Sequence, residues 1–287
     1  MYTENKEGFD MHHTFSNNLA RLRKERGWTQ EKLAKALDLS FQAISKWETA
    51  QSYSDIALLP RLAALFETSV DSLLGYVPTK ASATKYEQRY QCDGYYWGVA
   101  PNRMCYEVMR LMPPTKPLRL LDMCCGEGKD AVFFANNGYI VSAFDIAQSG
   151  LDKGRKLAEC NGCVVSFFTA DIREFIPNDT FDIIYTSGGL LYFAPDKREE
   201  MMSIYKQKTT PGGLHAVNTF VEKPFIARAP DSEDNEHYWK SGELFSHYQN
   251  WRFHVALAEQ IFDCNSNGHG GSHQHCMDTL IAQAPHE

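Results

Sequence analysis

No apolar run in the chain approaches the roughly 20 residues that a bilayer-spanning helix needs. The opening 14 residues are polar, include His12 and His13, and do not resemble the apolar core of a signal peptide. Cysteine is sparse: 8 in 287 residues, scattered rather than set in a close framework, which argues against a disulfide scaffold. Positive charge is not in excess either. Net charge is −7, so the chain as a whole is no polyanion binder, although one basic face would suffice for DNA. These absences lead to an expected cytoplasmic protein with free thiols and no membrane partner. What is present is 43% hydrophobic and 23% charged, over a length that suggests two domains.

Residues 1–14 read as a flexible tail, and the first module as residues 15–76. Phe15, Leu19 and Leu22 share one helical face, opposite Arg21, Arg23, Lys24 and Arg26. Gly27 suits a helix C-terminus. Thr29 and Ser40 are N-caps for two short helices, the first with Leu33, Ala34 and Leu37 inward. The second helix turns Ala43, Ile44 and Trp47 inward and Phe41, Gln42, Ser45 and Lys46 outward. Helical stretches over 56–66 and 70–74 complete an all-α bundle. Two short helices joined by a brief turn make a helix-turn-helix, whose second helix enters the major groove. Gln42 can pair bidentately with adenine. Gln30, Lys46 and the arginine cluster would hold phosphates, and Ser40, Phe41 and Ser45 complete the DNA-facing set.

The module closely resembles the XRE/Cro-C1 helix-turn-helix family. The resemblance rests on Leu22-Arg23-Lys24-Glu25-Arg26-Gly27-Trp28-Thr29-Gln30, on Leu33-Ala34, on Ile44-Ser45-Lys46-Trp47-Glu48, and on the closing Ser69-Val70-Asp71-Ser72-Leu73-Leu74-Gly75. It implies operator DNA as a partner and a homodimer. Phe41 stands where the family often has Arg or another polar residue.

Residues 77–85, small and polar with Pro78, read as a linker. The second module is then residues 86–287. It begins with an aromatic run in which Tyr90, Tyr95, Tyr96 and Trp97 either form a lid over a ligand or pack on a sheet edge. A helix bearing Met104, Val108 and Met112 follows and stops at Pro113 and Pro114. Strand candidates then alternate with helices: 118–123, 139–144, 163–169, 181–186 and 214–220, with helices over 129–137, 147–159 and 196–208. That alternation predicts an α/β Rossmann-like, mostly parallel sheet with helices on both faces. The last two strands, 251–263 and 276–284, flank a Gly/Asn/His-rich turn and form a terminal antiparallel hairpin, seven strands in all.

In such a sheet a ligand lies beyond the carboxyl ends of the strands, at the switch point. That places the loop 122–128, Asp145, Asp171 and Ser187 around one crevice. The loop reads Asp122-Met123-Cys124-Cys125-Gly126-Glu127-Gly128. It lacks the third glycine of a dinucleotide fingerprint, and its acid suits a cationic ligand group. These residues resemble the class I S-adenosylmethionine-dependent methyltransferases, with Cys124 standing where the pattern has its first glycine. The resemblance implies S-adenosyl-L-methionine as cofactor. By it, Asp122, Cys124, Gly126 and Gly128 surround the methionine end, and Asp145 takes the ribose hydroxyls. Ile146 lies against adenine, Asp171 meets its amino group with Ile172 flanking, and Ser187 borders the site. Stretches such as Gly138-Tyr139, Asp145-Ile146 and Gly242-Glu243-Leu244 look most like the tellurite-resistance and thiol small-molecule methyltransferases.

The position after the fourth strand reads Thr186-Ser187-Gly188-Gly189-Leu190-Leu191-Tyr192. It has no Asp-Pro-Pro-aromatic motif for a flipped base. Charge agrees: residues 76–287 carry a net −6 and residues 15–75 a net +1. DNA is thus an address for the first module, and the expected methyl acceptor is a small molecule. A soft thiol or chalcogen nucleophile needs little base help; for a harder one, His273, His275 and Tyr96 are the candidate catalytic residues. A metal is not expected, although the 269–276 segment, with His269, His273, His275 and Cys276, has ligand types, and Cys160-x2-Cys163 is half of a zinc-like pattern. Three functions follow from this sequence: a methyltransferase that governs its own expression, a regulator whose methyltransferase fold only senses S-adenosylmethionine or S-adenosylhomocysteine, or a protein or RNA methyltransferase, the second module's lack of strong basic charge arguing against RNA.

Overall fold

The computed structural model describes residues 11–52, 55–66, 68, 70–74, 84–230, 232–265 and 271–286, and divides the chain into two compact units at Ser82 and Ala83. Most of the expected linker lies outside the described residues. Its end does not: Thr84 caps a helix, accepting from the Glu87 amide, and that helix already begins at Lys85.

The first unit comprises α1 (Met11–Glu25), α2 (Gln30–Leu37), α3 (Phe41–Glu48), α4 (Leu59–Phe66) and α5 (Val70–Leu74). Helix α1 starts four residues before the expected end of the tail, so 11–14 is helix rather than tail. Residues 1–10 lie outside the description. Thr29 and Ser40 cap as expected, their hydroxyls accepting from the Lys32 and Ala43 amides. Phe15, Leu19, Leu33, Leu37, Ile44, Trp47, Leu62, Phe66 and Leu73 are buried together and form this unit's core. They recur at helical spacing, which leaves the opposite faces to polar side chains.

The second unit is a seven-stranded sheet in the order β3-β2-β1-β4-β5-β7-β6. The strands are β1 (Arg119–Met123), β2 (Ile140–Asp145), β3 (Val165–Thr169), β4 (Phe181–Ser187), β5 (Thr209–Phe220), β6 (Arg252–Cys264) and β7 (His273–Gln283). The first five run parallel; β7 lies antiparallel between β5 and β6. Helices α6 (Lys85–Arg89) and α7 (Arg103–Leu111) precede the sheet, and α8 (Lys129–Asn136), α9 (Gln148–Cys160), α10 (Arg198–Gln207) and α11 (Glu243–Ser246) connect its strands.

Successive strand residues feed opposite faces. Leu121, Phe144, Ile184, Val217 and Leu280 pack with Met201, Met202 and Tyr205 of α10 and with Trp239. Leu120, Ala143, Ile183, Ala216 and Ile281 pack with Met104, Cys105 and Val108 of α7 and with Ala131 and Phe134 of α8. Burial on both faces explains why these strands read as near-continuous apolar runs. The order reverses between β1 and β4, and the loop after β1 opens at that switch point. No helix among the described residues is long and apolar enough to cross a membrane.

Candidate functional site

The loop between β1 and α8 is shaped by backbone that most residues avoid. Cys124, Gly126 and Gly128 all have positive φ, at 57°, 55° and 78°. At Gly128 a Cβ would lie 2.9 Å from Gly154 Cα and from the Phe167 ring, so only glycine lets α9 and β3 approach. Cys124 holds the left-handed region without being glycine, at a cost of roughly 1–2 kcal/mol. Its side chain lies against Gly189, where an added Cβ would come within 3.0 Å of Cys124 Cβ. Burial, then the neighbouring Asp145 and Asp122 carboxylates, push the Cys124 thiol well above its usual range, so it stays protonated.

Asp122 is the penultimate residue of β1 and is 2% exposed. Its Oδ2 is buried with no hydrogen-bond partner. Burial, and next the Asp130 carboxylate, push its pKa well above the ordinary range. A buried acceptor without a donor is costly and rare in a finished interior. Asp145, at the end of β2, accepts from the amides of Gly126 at 2.8 Å and Ala147 at 2.9 Å. Burial outweighs those bonds and raises its pKa to about 6. Asp171 is chelated by Arg173, through Nε at 2.9 Å and through the terminal nitrogen. Against the effect of burial, Arg173 holds Asp171 below its usual pKa. Ile172 is buried beside it. Ser187 Oγ accepts from Asn102 at 3.1 Å and Asn218 at 3.4 Å, and so closes the far side of the crevice.

The aromatic segment packs on this loop rather than on a sheet edge. Tyr90 and Tyr96 are buried with Ala147, and Trp97 leans on them. A Cβ on Gly126 would meet the Tyr90 hydroxyl at 2.8 Å. Trp97 donates its indole N–H to the Tyr90 oxygen and its amide to Glu127. Tyr95 donates to the Lys153 carbonyl on α9. Glu127 is itself buried and paired with Lys153 at 2.8 Å. Asp130 accepts from the Asn102 amide and from Tyr185 at 2.8 Å each, and pairs with Lys129 at 2.7 Å. Glu127, Asp130, Asn102 and Asn218 were not singled out from sequence. The Gly-Glu-Gly-Lys-Asp run is the one local signal that pointed toward the first two.

Beyond β4, Tyr86 meets Tyr192 edge-on at 6.5 Å. The carboxylates of Glu236 and Glu233 act on both rings, and the Cys124 thiol acts on Tyr192. Glu233 is buried, with Oε1 unpartnered. The glutamates of this corner lie in the irregular segment after β5 and carry no periodic signal in the sequence.

The three candidate catalytic residues are not gathered in one place. Tyr96 belongs to the lid cluster. His273 and His275 share a face, as their alternation predicts, and touch each other at the start of β7. There His275 packs at a tilt of 30° on Phe220, centroids 4.3 Å apart, and lies near Phe262. His269 is outside the described residues. Cys276 points to the opposite face of β7, so it does not join the histidines. Cys160 is exposed, while Cys163 is half-buried with its thiol toward the Val132 carbonyl.

In the helix-turn-helix unit, Phe41, Gln42 and Lys46 face outward from α3, and Ser45 is half-buried. Ser40 is occupied as a cap. Gln30 and Arg23 are drawn inward: Arg23 binds Glu48 through two nitrogens, at 2.6 and 2.8 Å, and Gln30 donates to the same carboxylate at 2.8 Å. Arg23 also donates to the Trp28 carbonyl, so it ties α1 to α3 instead of facing phosphate.

The loop supplies an orphan carboxylate oxygen, glycine backbone closely approached by Tyr90, α9 and β3, and a second carboxylate at the end of the next strand. These fit an amino acid nucleoside with a cationic end. Residues 120–213 match the family model for a methyltransferase domain, and residues 19–73 match a helix-turn-helix model. The HTH-type transcriptional activator BcrR of Enterococcus faecalis is 38% identical over 60 residues, covering 21% of this chain and 29% of that protein. Hemagglutinin 1 of Eikenella corrodens is 24% identical over 135 residues, covering 47% of this chain and 44% of that protein. The chain thus spans less than half the length of either curated relative. TehB from Haemophilus influenzae shares the fold of the second unit, with a TM-score of 0.56 at 15% identity over 75% of this chain and 66% of that one.

Proposed function

We propose that this chain, which carries an XRE-type helix-turn-helix domain and a class I methyltransferase domain, binds operator DNA through the first. With the second it methylates a small molecule. The observation that carries the reading is Asp122, a buried carboxylate whose Oδ2 has no donor. A ligand ammonium beside it would restore its charge and satisfy that oxygen. S-adenosylmethionine would supply an electrophilic methyl group on a sulfonium. Asp145 would then accept from the ribose hydroxyls, Asp171 from the adenine amino group, and Ile146 and Ile172 would line the base. Tyr90 and Trp97 would exclude water over the loop, where alignment and desolvation do most of the work of an in-line displacement.

The acceptor corner formed by Tyr86, Tyr192 and Glu233 suits a small substrate. A thiol or chalcogen acceptor agrees with the need for little base help. Because burial keeps the Cys124 thiol protonated, the loop does not compete as its own nucleophile. DNA recognition through Gln42 and Lys46, by a homodimer on two half-sites inside the cytoplasm, would let the protein govern its own gene.

The test incubates the full chain with methyl-labelled cofactor and a panel of thiols, selenite, tellurite and phenols. Transfer to at least one thiol or chalcogen is expected. Cofactor binding without transfer to any acceptor, coupled to a change in DNA affinity, would overturn the enzymatic reading and leave a sensor of S-adenosylmethionine or S-adenosylhomocysteine.

A further inference from the structure

We infer that the paired ends of β6 and β7 form a binding site for a transition-metal ion of the zinc class, with Cys264, His273 and His275 as ligands. The site is separate from the cofactor loop and does not depend on the function proposed above.

Register brings the three residues together. Cys264 lies directly opposite His273, and Phe262 opposite His275. Side chains alternate along a strand, so Cys264, His273 and His275 all project from one face. The Cys264 sulfur and one ring nitrogen from each histidine lie within 4.8 Å of one another. Ions held at the usual zinc–nitrogen and zinc–sulfur lengths place tetrahedral ligand atoms about 3.3–3.7 Å apart. Closing the trio around an ion therefore needs only side-chain adjustment.

Two details point to a ligand rather than to a chance cluster. The two Nε2 atoms face each other at 3.0 Å. His273 Nδ1 lies 2.7 Å from the Gly271 carbonyl, which can only accept, so Nδ1 carries the proton. Nε2 of His273 is then the basic nitrogen, and it accepts from His275 Nε2–H within the trio of ligand atoms. A ring N–H held by a backbone carbonyl is the usual outer support of a metal-bound histidine. The second detail is the setting of His275. It is 9% exposed and packed at a tilt against the Phe220 ring, which fixes its ring and lowers the entropy lost on coordination.

On binding, two Nε2–metal bonds and one sulfur–metal bond form. The Cys264 thiol releases its proton to solvent, and the His275 proton moves to its Nδ1. Three protein ligands leave a fourth position for water, as in open zinc sites. The donor set of two imidazoles and one thiolate disfavours magnesium and calcium, which prefer oxygen. The ion would clamp the last residue of β6 to the first residue of β7.

Cobalt(II) titrated into the tag-free, chelator-treated full chain reports on this directly. The expected result is one equivalent bound, with a thiolate-to-cobalt charge-transfer band that zinc abolishes. Cys264→Ser should remove the band, and His273→Gln should weaken zinc affinity by more than about 100-fold, beyond the usual cost of losing an outer-shell partner. Cys160→Ser, at an exposed site, should change neither. Absence of stoichiometric binding by the unmodified chain overturns the proposal, as does a band that survives in Cys264→Ser. Circular dichroism of each metal-free variant separates a lost ligand from a lost fold.

Discussion

The two units of the chain contrast in two of their carboxylates, Glu48 and Asp122. In the helix-turn-helix unit, the Glu48 carboxylate is satisfied from two sides, by Arg23 and Gln30, and the groups left for a partner face outward on α3. In the methyltransferase unit, Asp122 Oδ2 and Glu233 Oε1 are inside and have no donor. An interior built only for stability pairs its polar atoms. One built to receive a ligand leaves part of its hydrogen bonding undone, and the fold carries that cost until the ligand arrives. On the proposed function, the first unit would recognise with its surface and the second with its core.

Removing the orphan should separate the units most sharply. Asp122→Ala is expected to weaken S-adenosylmethionine binding by about 2–5 kcal/mol, the usual loss when one side of a buried charged pair is truncated. DNA affinity should not change. Calorimetry with the cofactor and fluorescence anisotropy with operator DNA check both halves, and retained cofactor affinity would mean the loop has been misread.

The converse experiment breaks the satisfied network. Glu48→Ala leaves Arg23 without its carboxylate and should destabilise the first unit by about 3 kcal/mol. Urea unfolding followed through Trp28 and Trp47 reads this, with the cofactor-bound unit unaffected. The pH dependence has a definite sign. Although burial acts the other way, Arg23 and then Gln30 hold the Glu48 pKa below its usual value. This stabilisation is present above the unfolded pKa of about 4.3 and is lost as pH falls through the lower folded value. A unit whose stability ignores that window would show the network to be inert.

The smallest effect concerns Asp145. Its pKa of about 6 means that in the ligand-free unit the carboxyl is largely protonated below that pH and ionised above it. A ribose hydroxyl donates better to the ionised form, so cofactor affinity should rise by about tenfold from pH 5 to pH 7. Asp145→Asn should flatten that rise near pH 6 in binding isotherms. A slope equal to that of the unmodified chain would remove Asp145 from the ribose site.

Much of both units was readable because it is local. The caps Thr29 and Ser40 act within three residues. The apolar periods of α2 and α3, and the strand–helix alternation, repeat over short windows. The acids Asp122, Asp145 and Asp171 each sit at a strand end, where the fold class places ligands. What was not readable depends on partners far apart in the chain. Arg23 looks like a phosphate contact until Glu48, 25 residues on, captures it. Asn102 and Asn218 converge on Ser187 across two strands. Cys264 joins His273 only through a strand register shifted by bulges in β6, whereas adjacent Cys276 is carried to the other face. The polar start of α1 gave no apolar period, and its four helical residues were read as tail.

The tethers between the aromatic segment and the loop have a kinetic meaning. Trp97 and Asn102 hold Glu127 and Asp130 through their backbone amides, so these bonds survive any change of the two side chains. Tyr90 packs directly on Gly126 and Gly150, so a nucleoside bound at the loop, as proposed above, would enter and leave as the segment peels back and the two amides let go. Residence time would then be set by the opening of the flap rather than by the strength of the grip on the ligand. A variant that binds weakly at Asp145 and one that loses the Glu127 carboxylate would reach the same affinity by different routes, one releasing through a closed door and the other through an open one.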